Sequence, residues 1–177
     1  DLDPGGTADY VDGGNINLTS TGGGGEVTVS MWIKPDSVSG RLFTQSTIGG
    51  ATSQSGTTDV LADGSIAVWT GSGYVYPAPA GSVIVGVWQH LAFVWDSGQV
   101  TAYVDGVQQS TVTVNFDFGA ANGNFGIAAD LIGVYGAGID GQIDDVAIFD
   151  VALNASQVTA LANGAAAKLR ATLFLFR

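Results

Sequence analysis

The feature that most constrains the fold is an alternation of apolar and polar side chains with a period of two residues. Glu26–Ile33 alternates cleanly, and Trp88–Trp95 is a second strand-like segment that ends at the turn Asp96-Ser97-Gly98. After a short turn, Gln99–Val104 leads into Asp105-Gly106, which is a strong signal for a tight hairpin. Because successive side chains of a strand point to opposite faces of a sheet, this period is typical of half-buried strands. The sequence therefore predicts a fold built mainly from antiparallel strands.

Other segments extend the same pattern. Strands are predicted at 40–46, 59–62, 65–70, 123–129 and 142–149, with a further strand opening at Val107. Many short strands separated by turns are typical of an antiparallel sandwich or barrel. The predicted fold class is all-β, an antiparallel β-sandwich of jelly-roll type with one short helix near its C-terminal end.

The predicted helix has clear end signals. Asn154 and Gln157 fit a capping box, in which each side chain bonds the backbone of the other residue. Asn163-Gly164 supplies the stop. The helix carries a short apolar stripe made of Val158, Leu161 and Ala162.

Composition limits the classes of function. The chain has 177 residues, a net charge of −11 and a sequence pI near 4.1, which argues against nucleic-acid binding because phosphates require many Lys and Arg. It has no cysteine, so disulfides and thiolate chemistry are excluded. It also has no apolar run long enough for a membrane-spanning helix. The start at Asp1 without Met is expected of a mature or trimmed chain.

The last ten residues differ from the rest. Residues 168–177 contain three of the five basic residues and no acidic residue. We predict one domain over residues 1–164, followed by a separate C-terminal strand within residues 165–177. A strand that is apolar on both faces needs burial on both. It either completes the sheet of its own chain or joins a neighbouring copy. The candidate assembly residues are Leu173, Phe174, Leu175 and Phe176.

Four segments, taken in order, resemble a known family. Thr7–Val11 and Val27–Pro35 are similar to the first two strands of LamG-like (laminin G-like, concanavalin A-like) jelly rolls. Trp88–Gly106 resembles their central hairpin, and Gly141–Gln157 resembles their closing strand and short helix. The resemblance spans roughly residues 2 to 164 and implies the jelly-roll fold. It does not define a function, because this fold carries lectins, adhesins, accessory modules of glycosidases and structural domains.

The acidic residues do not form the pair that a glycosidase needs. Related sandwich glucanases use two close catalytic glutamates, and Glu26 is the only glutamate here. Asp144 and Asp145 are adjacent, so on a regular strand they would point to opposite faces. His90, the single histidine, occupies the position of a structural histidine in the family's hairpin. We therefore expect a chain that is not an enzyme.

The resemblance also implies a possible calcium site. LamG-like domains often hold one Ca²⁺ where the first strand approaches the closing strand, and the matching positions are Asp9 and Asp144, with Asp145 as a lesser contributor. Carboxylates from two distant segments suit this cation. Many relatives carry a second acidic residue where this chain has Ala8. The alternative is that these aspartates lie in turns and at strand edges in solvent.

One group of aromatic residues is a candidate for sugar binding. Trp69, Tyr74 and Tyr76 flank glycine-rich turns, which are expected to lift them toward a loop, with Tyr135 as an outlier. The alternative is ordinary packing beneath a loop. Five aromatics that alternate within predicted strands are expected to lie in the core: Trp32, Trp88, Phe93, Trp95 and Tyr103.

Together these observations predict a non-catalytic recognition module, extracellular or at a cell surface, that binds a glycan or another surface ligand and serves adhesion. The alternative is a structural subunit that forms a homopolymer or filament through its C-terminal strand. Calcium is a possible cofactor, and a homo-oligomer is a possible state.

Overall fold

The computed structural model describes residues 11–15, 25–46, 56–114, 124–128, 138–164 and 173–176. The strands among them are β1 (Val11–Asn15), β2 (Val27–Pro35), β3 (Gly40–Ser46), β4 (Thr58–Val60), β5 (Ile66–Trp69), β6 (Tyr74–Ala78), β7 (Gln89–Asp96), β8 (Gln99–Val104), β9 (Val107–Thr113), β10 (Asn124–Ile127), β11 (Gly141–Phe149) and β12 (Leu173–Phe176). The helix α1 spans Ala155–Ala162.

The strands form two six-stranded antiparallel sheets. Sheet I has the order β12-β11-β2-β7-β8-β9, and sheet II has the order β1-β10-β3-β4-β5-β6. This is the predicted β-sandwich, and the hairpin at Asp105-Gly106 joins β8 to β9 as expected. The prediction missed β6, because the glycine-rich segment before it indicated a loop.

The core lies between the sheets and is densely aromatic at its centre. Phe43 of β3 packs edge-to-face against Phe93 at 5.3 Å and Trp95 at 5.9 Å, and it stacks on Phe125 at 5.6 Å. All four side chains are buried. Alternation explains this arrangement, because every second residue of β2 and β7 points into the same layer.

The helix covers part of the outer face of sheet I. Both hydrogen bonds of the capping box form: the Gln157 N–H donates to Asn154 Oδ1 at 3.0 Å, and the Asn154 N–H donates to Gln157 Oε1 at 2.9 Å. Val158 is fully buried against residues of β7, β8 and β11. The connection before the helix is tied to the sheet by Thr28, whose hydroxyl donates to the Val151 carbonyl and accepts from the Leu153 N–H. The helix therefore covers the part of the outer face formed by residues of β7, β8 and β11 and leaves the rest of that face uncovered by α1.

The C-terminal strand β12 pairs with β11 of the same chain. Phe176 is opposite Val146, and Leu173 is opposite Phe149. This makes β12 the edge strand of sheet I.

Candidate functional site

An aromatic patch lies on the outer face of sheet II. Val68 is fully buried and Val75 packs against the core, so their neighbours Trp69 and Tyr74 point outward. These two residues are opposite each other in the β5–β6 hairpin, with ring centroids 5.0 Å apart at 64°. Tyr76 follows on the same strand and is 54% exposed, while Tyr74 is 42% exposed. We call Trp69, Tyr74 and Tyr76 the aromatic patch.

The patch is supported by a buried ion pair that sequence reasoning missed. The Arg41 Nε–H donates to Asp59 Oδ1 at 3.0 Å, and both side chains are largely buried. The Tyr74 hydroxyl donates to the other oxygen, Asp59 Oδ2, at 3.2 Å. Burial, followed by the charge of Asp59, raises the pKa of Tyr74. The sequence did contain one signal for this ion pair: Lys34 and Arg41 are the only two basic residues outside the tail.

The hairpin differs from the loop that the sequence indicated. The Thr70 N–H and hydroxyl both bond the Gly73 carbonyl at 2.9 Å, which closes the turn between β5 and β6. Cross-strand pairing therefore sets the positions of Trp69 and Tyr74. Tyr135, the predicted outlier, lies outside the described residues.

A second surface feature is a groove on the outer face of sheet I. It has a volume of about 270 Å³ and is lined by Trp32, Trp88, Asp144 and Asp145. Trp32 is half-buried, and Trp88 is 41% exposed. The prediction that these two tryptophans are core residues was wrong. The alternation that places Met31 and Ile33 in the core turns Trp32 to the outer face.

Both aspartates line this one groove, contrary to the expectation for a regular strand. The pairing of β11 with β2 shifts register between Asp144 and Ala147, and Asp145 has a left-handed φ of +48°. A bulge of this kind breaks the strict alternation and re-aims a side chain. The Asp145 N–H donates to Asp144 Oδ1 at 2.8 Å, which holds the pair together. The two carboxylates therefore share one surface.

The described residues do not by themselves make a calcium site. Asp144 and Asp145 are brought together, but no group of three or more His, Cys, Asp or Glu side chains suited to a metal is found in the part of the chain that the structure describes. Asp9, the remaining predicted ligand, lies outside the described residues. Two carboxylates fall short of the six to eight oxygens that Ca²⁺ takes.

His90 lies beside the groove and is 1% exposed. Its ring meets Trp32 edge-to-face at 5.5 Å, and its Nε2 is 2.8 Å from the hydroxyl oxygen of the equally buried Ser30. Burial lowers the pKa of His90 to about 4, although the charge of Asp105 opposes that shift. The Asp105 carboxylate itself bonds the His90 backbone N–H at 2.8 Å. A Ser–His pair buried in this way is closed to a substrate, which agrees with the structural role expected of this histidine.

Two six-stranded antiparallel sheets packed face to face, with a short helix on one outer face and exposed aromatics on the other, define a lectin-type β-sandwich. The family comparison agrees, since the profile of the concanavalin A-like lectin/glucanase superfamily matches residues 5–159. The chain belongs to this superfamily, as its motifs indicated. No curated protein matches the chain.

Solved structures with the same fold include three informative neighbours. Domain 4 of the extracellular arabinanase AbnA from Geobacillus stearothermophilus, in complex with arabinotriose, is 27% identical with a TM-score of 0.61, covering 89% of this chain and 82% of that one. A heptameric pentraxin from Limulus polyphemus is 22% identical with a TM-score of 0.61, covering 85% and 79%. The NanB sialidase of Streptococcus pneumoniae is 22% identical with a TM-score of 0.69, covering 90% of this chain and 26% of the sialidase.

The chain thus spans about a quarter of the sialidase chain but most of the arabinanase domain and the pentraxin. Among the described residues, no helix has the length and apolar character needed to cross a membrane.

Proposed function

We propose that this chain is a non-catalytic carbohydrate-binding module that holds a sugar chain on the aromatic patch of sheet II. The observation that carries the proposal is the exposure of Tyr74 and Tyr76 on a regular hairpin, next to the half-buried Trp69. Aromatic rings offer a large apolar face together with a polar edge, a combination that suits the faces and hydroxyls of a sugar.

The surroundings of the patch favour a preformed site. Tyr74 is held by its hydrogen bond to Asp59, and Asp59 is held by Arg41. A ring that is already fixed loses less side-chain entropy when a ligand binds. Exposed tyrosines are therefore more useful here than flexible side chains of similar size.

The neighbours add support at the level of ligand class. The arabinanase domain has a bound arabinotriose and is similar in size to this chain. A module of this class works outside the cell, on a polysaccharide or on a cell surface, and adhesion through surface glycans is part of the proposal. Calcium bound by the predicted ligands Asp9, Asp144 and Asp145 is a further proposal, tested by calorimetric titration with CaCl₂; it is the alternative to the occupant proposed below for Asp144 and Asp145.

The test is affinity electrophoresis in gels containing soluble arabinan, a β-glucan or a sialylated glycoprotein, followed by calorimetry with the best probe. We expect at least one probe to retard the chain. Tyr76→Ala and Trp69→Ala should each weaken binding about two- to tenfold, since an aromatic contact contributes roughly 0.5–1.5 kcal/mol. Trp88→Ala, which removes an exposed tryptophan from the groove on the other sheet, is the matched control and should bind normally.

Three results would contradict the proposal. The first is that no polysaccharide binds. The second is that Trp88→Ala abolishes binding while Tyr76→Ala does not. The third is release of reducing sugar from the bound polysaccharide, which would show that the chain is catalytic.

A structural subunit is the second candidate, and the edge position of β12 is the observation behind it. The opposite charges of tail and body suit pairing within one chain and between copies alike. Residues 168–177 are basic, whereas the rest of the chain carries all sixteen acidic residues. An edge strand such as β12 can be supplied by a neighbouring copy in place of its own chain, which would link copies into an oligomer or filament. The truncation described in the Discussion tests this candidate.

A further inference from the structure

Exposed apolar side chains concentrate at one place on the surface. Of the seven large hydrophobic residues that are clearly exposed in the described part of the chain, four lie within the five positions 84–88: Ile84, Val85, Val87 and Trp88. Contiguous exposed apolar surface in a globular domain marks an interaction site. This segment, the apolar loop, leads directly into the groove through Trp88.

The apolar loop is held in place by a buried side chain. Gln89 is 3% exposed, its Oε1 accepts from the Ile84 N–H at 2.7 Å, and its Nε2 donates to the Ser82 carbonyl at 3.0 Å. The Gly86 N–H donates to the Pro35 carbonyl at 2.8 Å, which docks the loop on the end of β2, three residues from Trp32. The apolar loop and the groove therefore form one surface of fixed shape.

The carboxylates of this surface have no cationic partner in the part of the chain that the structure describes. Arg41 and Asp59 form an ion pair elsewhere, whereas among the described residues neither Asp144 nor Asp145 has a Lys, Arg or His nitrogen within 4.0 Å. Lys34 lies two residues along β2 from Trp32 but makes no such pair. His90, whose pKa is lowered by burial, is neutral at pH 7 and does not offset the two negative charges.

We propose that the groove binds the guanidinium group of an arginine side chain on a partner polypeptide, with the apolar loop contacting the residues beside that arginine. A guanidinium is planar, stacks on indole faces and presents five N–H donors to carboxylates, whereas an ammonium is a strongly hydrated point charge. Two indoles and two carboxylates around one groove therefore match a guanidinium better than an ammonium. The strongly acidic chain also attracts a basic partner over distance.

This site lies on the opposite sheet from the aromatic patch and does not depend on the proposed sugar binding. The probe is the peptide acetyl-Leu-Arg-Leu-amide, titrated by calorimetry into the full chain in low salt with EDTA. Its matched control is the same peptide with citrulline, a neutral isostere of arginine. We expect the arginine peptide to bind with a dissociation constant near 1 mM or below and the citrulline peptide to bind at least about tenfold more weakly.

Three variants locate the site. Trp88→Ala and Asp144→Asn should each weaken binding about fivefold or more, and Asn keeps the oxygen that accepts from the Asp145 N–H. Glu26→Gln, at the other end of β2, removes one exposed negative charge and should leave binding unchanged. Thermal unfolding of each variant checks that the fold is intact.

The outcomes are separable from those of the sugar experiment, because Tyr76→Ala should bind the peptide normally. Equal affinity for the arginine and citrulline peptides would overturn the proposal, since the groove would then recognise only apolar groups. Absence of binding, unchanged binding by both Trp88→Ala and Asp144→Asn, or binding that appears only when calcium is added would overturn it as well.

Discussion

Lowering the pH from 7 to 4 is expected to destabilise this protein through one residue, His90. The imidazole is buried, and its Nδ1 has no hydrogen-bond partner among the described residues. Burial opposes the charged form, so the native pKa is lowered from 6.5 to about 4. In the unfolded chain the same group titrates near its ordinary value of about 6.5.

The sign and size of the effect follow from these two pKa values. Between pH 6.5 and 4 the unfolded chain holds a proton on His90 that the native chain does not, so the free energy of unfolding decreases as the pH falls. The contribution of the neutral imidazole is complete above pH 6.5 and is lost by about pH 4. A difference of about 2.5 pKa units corresponds to roughly 3 kcal/mol, a large part of the 5–15 kcal/mol that stabilises a typical domain.

The assay compares the wild type with His90→Gln, whose side chain can still bond the Ser30 hydroxyl. Urea unfolding at several pH values gives the unfolding free energy of each protein. The many carboxylates affect both proteins alike, so their contribution cancels in the difference between the two. That difference should change by about 3 kcal/mol between pH 7 and pH 4. Because His90 is the only histidine, its ring signals in NMR spectra also report the pKa directly. A measured pKa within about half a unit of 6.5, or a difference that does not vary with pH, would refute the reasoning.

Two further predictions concern the core and the tail. Phe43→Ala removes a ring that contacts three others and should lower the unfolding free energy by about 3–5 kcal/mol in urea unfolding. Val107→Ala, at an exposed position, is the control and should change it by no more than about 0.5 kcal/mol. A small effect of Phe43→Ala would contradict the packing described. A chain ending at Gly164 lacks β12 and leaves the β11 edge unpaired, so light scattering and electron microscopy should show a monomeric full-length chain and a destabilised or aggregating truncation. Oligomers or filaments of the full chain, together with a folded monomeric truncation, would instead favour the structural subunit.

Much of the fold could be read from local pattern. Strands β3 and β8 have the predicted bounds, and α1 begins and ends at the predicted caps, because alternation, turn residues and capping side chains act over a few residues. The hairpin β5–β6 was missed because these local signals were the only ones used. Gly71 and Gly73 signal a loop locally, whereas pairing of Trp69 with Tyr74 is decided by the sheet that receives the hairpin.

The candidate sites show where local pattern stops being informative. The exposure of Tyr74 and Tyr76 agrees with the choice of these residues from sequence, but their support by Asp59 and Arg41 joins segments that are far apart in the chain. Trp88 shows the opposite case, since it was predicted to lie in the core and the structure exposes it. On the same outer face, Ala92 and Val94 are buried because the helix covers them. Burial depends on what the rest of the chain places over a side chain, and the period of the sequence does not contain that information.

The sequence by itself determined that this chain forms a two-sheet β-sandwich with one capped helix, because strand period, turns and caps are set by neighbouring residues. Only the tertiary structure decided that Asp144 and Asp145 line one groove. Their convergence depends on a register shift against β2 and a left-handed backbone at Asp145, neither of which alternation can express. Sites of this kind arise where pairing between distant strands overrides the local period.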